Sequence, residues 1–274
     1  MNGPRRIAHL WLSALALALC IASGAVAQAG DLVLYGAGSL KGAVTEIAAQ
    51  FDQRFGTTTR VSFGPSGMMR ERIEKGEHVD IFTSADIGNP RKLTEEHRAA
   101  LVVLFARNRL CGFAKPGIGL TTESFLAKAM SPAVKLGTST PKADPAGDYT
   151  WELFRKADSL SPGAYAALDG KALKLVGGPQ AVAIPPGRNA QAYLMSSGQA
   201  DMFISYCSGA DDLRKEMADV TVVELPKALA ISAAYGLTVL DGANPEAYRL
   251  ALFILSQDGQ KILANHGFSA PALP

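Results

Sequence analysis

Of 274 residues, 48% are hydrophobic and 19% charged, with 27 Lys+Arg against 25 Asp+Glu. This is the composition of a folded chain and excludes a disordered one, and the near balance of charge excludes a polybasic nucleic-acid binder. Three cysteines are too few for a disulfide scaffold or a multi-cysteine zinc framework.

Residues 1–27 carry Arg5 and Arg6, then a short apolar run, then Ala25-Val26-Ala27. This order reads as a secretory signal peptide, too short in its apolar part for a membrane anchor. Cleavage after Ala27 removes two positive charges and leaves a formally neutral chain. Leu17-Ala18-Leu19-Cys20 resembles a lipoprotein box, but Leu19 is bulky where a small residue is expected. Export puts the remaining chain in an oxidising compartment, the periplasm of a Gram-negative source. Cys111 and Cys207 then either pair or stay as two buried thiols; spacing alone leaves both arrangements open.

The predicted elements alternate. Leu32–Tyr35 is a strand, followed by Gly36-Ala37-Gly38-Ser39 and a helix whose Leu40, Val44, Ile47, Phe51 and Phe55 share one face. Arg60–Phe63 is the next strand, then Gly64-Pro65-Ser66-Gly67 and a helix over Met68–Lys75. Val79–Thr83 is a third strand. Leu101–Ala106, Arg109–Ala114 and Val134–Gly137 read as further strands, and Asp144-Pro145-Ala146-Gly147 opens a helix with Trp151, Leu153 and Phe154. Leu173–Val176, Met202–Tyr206, Val220–Leu225 and Ile231–Leu240 are strands, a helix opens near Arg188, and Asn244-Pro245 starts a helical tail interrupted around Ser256–Gly259. Such alternation predicts an α/β fold of mostly parallel sheets flanked by helices. The number of units suits two lobes, one formed by residues 28–108 and 228–274, the other by 109–227, with crossovers near 107–112 and 225–231.

The recurring unit is strand, small polar turn, helix start. Ser39, Ser66, Ala146 and Arg188 stand at such turns, and Tyr206 ends a strand. Helix N-termini carry unpaired N–H groups and the positive end of the dipole, so several aimed at one point form an anion site. Open α/β sheets gather ligands at strand ends of this kind.

Gly36-Ala37-Gly38-Ser39-Leu40, Val61-Ser62-Phe63-Gly64-Pro65-Ser66-Gly67 and Val79-Asp80-Ile81-Phe82-Thr83-Ser84-Ala85-Asp86 resemble the N-terminal half of the molybdate-binding components of bacterial ABC importers. Asp144-Pro145-Ala146-Gly147 with Tyr149, and Ile204-Ser205-Tyr206, resemble the signatures of its second lobe. The resemblance spans nearly the whole exported chain and implies a two-lobed periplasmic binding protein, not an enzyme. Its implied ligand is molybdate or tungstate, with no cofactor or metal ion, and its implied partner is an inner-membrane permease served by a monomer, with no nucleic acid. By position, hydroxyls come from Ser39, Ser66 and Tyr206, and backbone N–H groups from Ala146 and Arg188. Two departures open the way to sulfate, phosphate or a carboxylate: Arg188 stands where an apolar residue is familiar, and the second turn is Gly-Pro-Ser-Gly rather than a serine run. A sensor role for a membrane receptor is the remaining alternative on the same fold.

Other classes fit less well. Gly36, Gly38 and Gly42 miss the dinucleotide spacing, and no G-x-S-x-G elbow occurs. His78, Asp80 and Asp86 lie close in sequence, but capping is the expected role of Asp86. A tyrosine constellation for iron is not expected either, because Tyr206 has no neighbouring tyrosine in the chain.

Overall fold

The hydrophobic strand segments assemble edge to edge into one mixed nine-stranded sheet. The computed structural model describes residues 31–271, so residues 1–27, expected to be a signal peptide, lie outside the described residues. The strands are β1 (Asp31–Ala37), β2 (Thr58–Gly64), β3 (Ile81–Ser84), β4 (Val103–Ala114), β5 (Leu136–Ser139), β6 (Leu173–Val176), β7 (Met202–Tyr206), β8 (Thr221–Glu224) and β9 (Ser232–Val239). Their order is β2-β1-β3-β9-β4-β7-β5-β6, with β8 also on β4.

Parallel pairing occurs in two groups. One is β2-β1-β3 and the other is β7-β5-β6. The antiparallel pairings all involve β4 or β9. The two predicted segments 101–106 and 109–114 merge into the single long strand β4. Its first part, Val103–Arg109, pairs with β9, and from Leu110 onward it pairs with β7 and β8. β4 is therefore shared by both halves of the sheet, and its partners change at Arg109–Leu110.

The helices follow their sequence signals. α1 (Lys41–Phe55) buries Val44, Ile47 and Phe51 on one face, and ends at Gly56 with φ 69°, the left-handed conformation that stops helices. α2 (Ser66–Glu74) starts immediately after Gly64-Pro65, and α3 (Gly88–Glu95) follows β3. Asp86 accepts the Asn89 N–H at 3.0 Å, the capping role expected of it. Between β4 and β5 lies α4 (Phe125–Met130). α5 (Pro145–Leu160) has Pro at its first position and buries Trp151, Leu153 and Phe154. After α6 (Ala164–Lys171), α7 (Ala190–Ser196) and α8 (Ala210–Glu216), the tail forms α9 (Glu246–Leu255) and α10 (Gln257–Asn265). The break between the last two is at Ser256, whose hydroxyl accepts the Gly259 N–H. None of the described helices is long and apolar enough to cross a membrane.

Cys111 of β4 and Cys207, the residue after Tyr206, are joined by a disulfide. Pairing was open at the level of sequence. It follows from β4 and β7 being neighbours, with Leu110 opposite Tyr206 and Cys111 opposite Ser205.

Candidate functional site

Parallel strands deliver their following turns to the same edge of a sheet. Here the turns after β1, β2 and β3 face those after β5, β6 and β7 across a cavity of about 650 Å³. Ser39, Ser66, Ala146, Arg188 and Tyr206 all line it. Five positions spread over 168 residues of chain are thus brought to one place.

The first half contributes hydroxyls at bare helix starts. Ser39 sits in a single 3-10 turn (Gly38–Leu40) that leads into α1, and Ser66 is the first residue of α2 and fully buried. Neither helix start has a side-chain cap. The Ser66 Oγ accepts the Ala85 N–H at 3.1 Å, which leaves its own proton to donate. The Ser39 Oγ shares a 2.9 Å hydrogen bond with the Tyr235 hydroxyl.

The second half is different, because the two backbone donors expected there, at Ala146 and Arg188, are already engaged. The Ala146 N–H donates to Asp144 Oδ1 at 3.0 Å. Asp144 is the N-cap of α5, and a capping aspartate seeks this N–H. The Arg188 N–H donates to the Pro185 carbonyl at 3.2 Å. The Arg188 guanidinium pairs with Glu216 at 2.6 Å and lies over the Tyr193 ring. Asn189, not Arg188, caps α7 through the Ala192 N–H. Arg188 therefore stands at the rim, held by an acid of its own half of the sheet. The same ion pair holds Glu216 below the usual carboxylate range.

Tyr206 differs from both groups. It is 5% exposed, and its hydroxyl is buried with no hydrogen-bond partner. An unmade bond of this kind costs about 1–3 kcal/mol, so it marks a place where a partner is due. Burial, with Tyr235 and Asp144 nearby, holds its pKa well above the usual phenol value, so the group remains a neutral donor.

The expected absence of neighbouring tyrosines requires correction. Folding packs Tyr149 and Tyr235 edge-on against Tyr206, with ring centroids 6.4 and 5.6 Å away. The Tyr149 hydroxyl accepts the Ala234 N–H at 3.0 Å, and Tyr235 bonds Ser39 and Asn108. Two of the three hydroxyls are thus committed to the scaffold, and burial raises the Tyr149 hydroxyl to about 12. No group of three or more His, Cys, Asp or Glu side chains suited to a metal ion occurs among the described residues. His78 approaches Asp80 at 3.5 Å, but Asp80 is buried and accepts the Val33 and Asn244 N–H groups, so this pair is part of the framework.

One residue of the site, Asp144, and one beside it, Gly67, are not singled out by the sequence. Asp144 was noted only as part of a turn; it also lines the cavity. Its signal was an aspartate directly before a helix-opening proline. Gly67 joins the two sides: its N–H donates to the Ala143 carbonyl at 3.1 Å, and a Cβ there would lie 2.5 Å from the Lys142 carbonyl oxygen. Its signal was only a glycine following the turn serine.

The chain is similar in sequence and fold to several known proteins. An uncharacterized protein of Pasteurella multocida is 39% identical over 235 residues, 85% of this chain and 95% of that one. A molybdate-binding protein of Rhodobacter capsulatus is 36% identical over 83 residues, 30% of this chain and 33% of that one. Among solved structures, the periplasmic molybdate-binding protein of Azotobacter vinelandii matches with a TM-score of 0.69 at 18% identity, over 88% of this chain and 100% of that one. The sulfate-binding protein SubI of Mycobacterium tuberculosis matches with a TM-score of 0.70 at 16% identity, over 88% of this chain and 87% of that one. These neighbours share the two-lobed fold. Residues 32–269 match the family described as bacterial extracellular solute-binding protein, and the chain belongs to that family: it is a binding protein and not an enzyme.

Proposed function

We propose that this protein is the periplasmic capture component of an ABC importer, exported by its N-terminal segment, and that its ligand is a tetrahedral oxyanion, molybdate or tungstate. In this reading the lobes are 28–108 with 228–274, and 109–227. The anion sits between them and is handed to an inner-membrane permease. The observation that carries the reading is the buried, unpartnered Tyr206 hydroxyl in a cavity that Ser39 and Ser66 also line. A fully ionised oxyanion accepts charge-assisted bonds from such neutral donors, and each is stronger in a dry cleft. The Ala146 and Arg188 N–H groups join this set only by giving up Asp144 and Pro185.

A second reading keeps the site and changes the ligand to sulfate, phosphate or a small carboxylate. The volume of the cavity, about 650 Å³, exceeds what a single tetrahedral anion fills, and within this reading it favours a carboxylate over sulfate or phosphate. Isothermal titration of the exported chain with molybdate, tungstate, sulfate, phosphate and small carboxylates separates the readings. The first expects the tightest binding with molybdate or tungstate. Binding of none of these anions contradicts both.

A further inference from the structure

Asp144 is an acidic side chain that lines the cavity and already accepts one of the proposed donors, the Ala146 N–H. Its own helix start supplies the Ala146 N–H, and from β5 the Ser139 hydroxyl faces it. On the β6 side, Gly177 leaves room for it: a Cβ there would lie 2.6 Å from the Asp144 Cβ and 2.9 Å from its Oδ2. From β7 the Tyr206 phenol is near. The charged groups acting on it are both acids, Asp148 of α5 and Asp86, which follows β3 on the opposite side of the cavity. The nearest cation in sequence, Lys142, acts on Asp148 instead, and Arg188 is paired with Glu216. The other cations lining the cavity are Lys41 and Lys215; Lys215 pairs with Asp212, and neither is among the groups acting on Asp144. A carboxylate whose charged neighbours are acids resists ionisation, and burial pushes Asp144 up to about 6.

An anion entering this cavity adds a further negative charge beside that carboxylate. The repulsion is relieved when the carboxyl takes a proton, and the group that repelled the anion then becomes a donor to it. We propose that Asp144 couples anion capture to protonation: with an oxyanion bound, its carboxyl is protonated and hydrogen-bonds the anion, so each capture event takes up one proton from solvent. This rests on the anion reading of the cavity. It names the regulation of that site: affinity rises as the medium becomes more acidic, within the range between the free and bound pKa of Asp144.

The sign follows from linkage. The pKa is higher in the bound state, so binding consumes a proton, and affinity falls as pH rises through that range. The test is calorimetric titration of the exported chain with molybdate, and separately with sulfate, at pH 6.5, 7.5 and 8.5. Each is run in two buffers of different ionisation heat, which reports the protons taken up. Both anions are fully ionised throughout, so they contribute no titration of their own. For whichever anion binds, the expected result is an uptake approaching one proton and a Kd that rises roughly tenfold or more from pH 6.5 to 8.5. Asp144→Asn retains a capping oxygen and an N–H donor, so it is expected to lose the uptake and to bind more tightly than the unaltered chain at pH 8.5. A Kd independent of pH with no proton uptake overturns the proposal. So does an Asp144→Asn variant that keeps the full pH dependence. Absence of binding by either anion at every pH instead counts against the oxyanion reading beneath it.

Discussion

The two sides of the cavity are built from the same unit, a strand running through a short turn into a helix, yet they present opposite chemistry. On the side of β1 and β2, the helix starts are preceded by Ala37 and Pro65, which have no side chain able to cap. On the side of β5 and β6, the N-caps are Asp144 and Asn189, and each consumes a backbone N–H that would otherwise point outward. A helix N-terminus is therefore an anion site only when its own cap leaves it free. The first side is ready for an acceptor. The second offers the buried Tyr206 hydroxyl, and needs Asp144 to yield before the Ala146 N–H can take part.

The largest expected effect tests how the second side is held. The disulfide fixes Cys207, next to Tyr206, to β4 and closes a sequence separation of 96. Replacing both cysteines by serine is expected to cost about 2–5 kcal/mol in chemical denaturation. If stability is unchanged, the turn carrying Tyr206 is held by packing alone. Tyr206→Phe sharpens the comparison through two readouts of opposite sign. Anion binding should weaken by about 1.5–3 kcal/mol, because a bond to a charged group is lost, while the ligand-free protein should become no less stable, because an unsatisfied buried hydroxyl is removed. Titration and thermal melting measure the two. Equal binding by Tyr206→Phe takes the second side out of the site.

Gly67→Ala probes the contact between the sides. The added Cβ would meet the Lys142 and Ala143 carbonyl oxygens at 2.5 and 2.9 Å, so the two turns must move apart. Affinity is expected to drop by about tenfold, about 1.4 kcal/mol, with a smaller change in melting temperature. An unaltered Kd would mean that this contact is not part of the bound form. Arg188→Val is expected to do least. The guanidinium is spent on Glu216 at a partly exposed rim, where such pairs contribute about 0–1 kcal/mol, so molybdate titration should give nearly the same Kd. A large loss of binding would place the side chain on the anion and contradict the rim assignment.

Much of this arrangement was readable from the chain because it is local. Ser39 and Ser66 stand in turns flanked by an apolar strand and an apolar helix face, and Tyr206 closes a strand of five residues. The same holds for the break at Ser256, where a hydroxyl caps the next helix. What escaped is non-local. Tyr149 and Tyr235 reach Tyr206 only because β9 and β4 pair and α5 packs beside them, and no spacing in the chain announces that. The dual position of Asp144 was equally hidden: a capping aspartate looks the same whether its free face meets solvent or a cavity. Two segments near 101–114 read as separate strands because Arg107 and Asn108 interrupt the apolar run. Pairing to β9 carries the strand straight through them.

The most direct test of the proposed oxyanion cavity is diffraction from crystals of residues 28–274 grown with molybdate, using the anomalous signal of molybdenum to locate it. The account predicts one strong peak inside the cavity, with the anion's oxygens within hydrogen-bond distance of the Ser39, Ser66 and Tyr206 hydroxyls. A peak at the outer surface only, or none in crystals whose cavity is open to solvent, would contradict it.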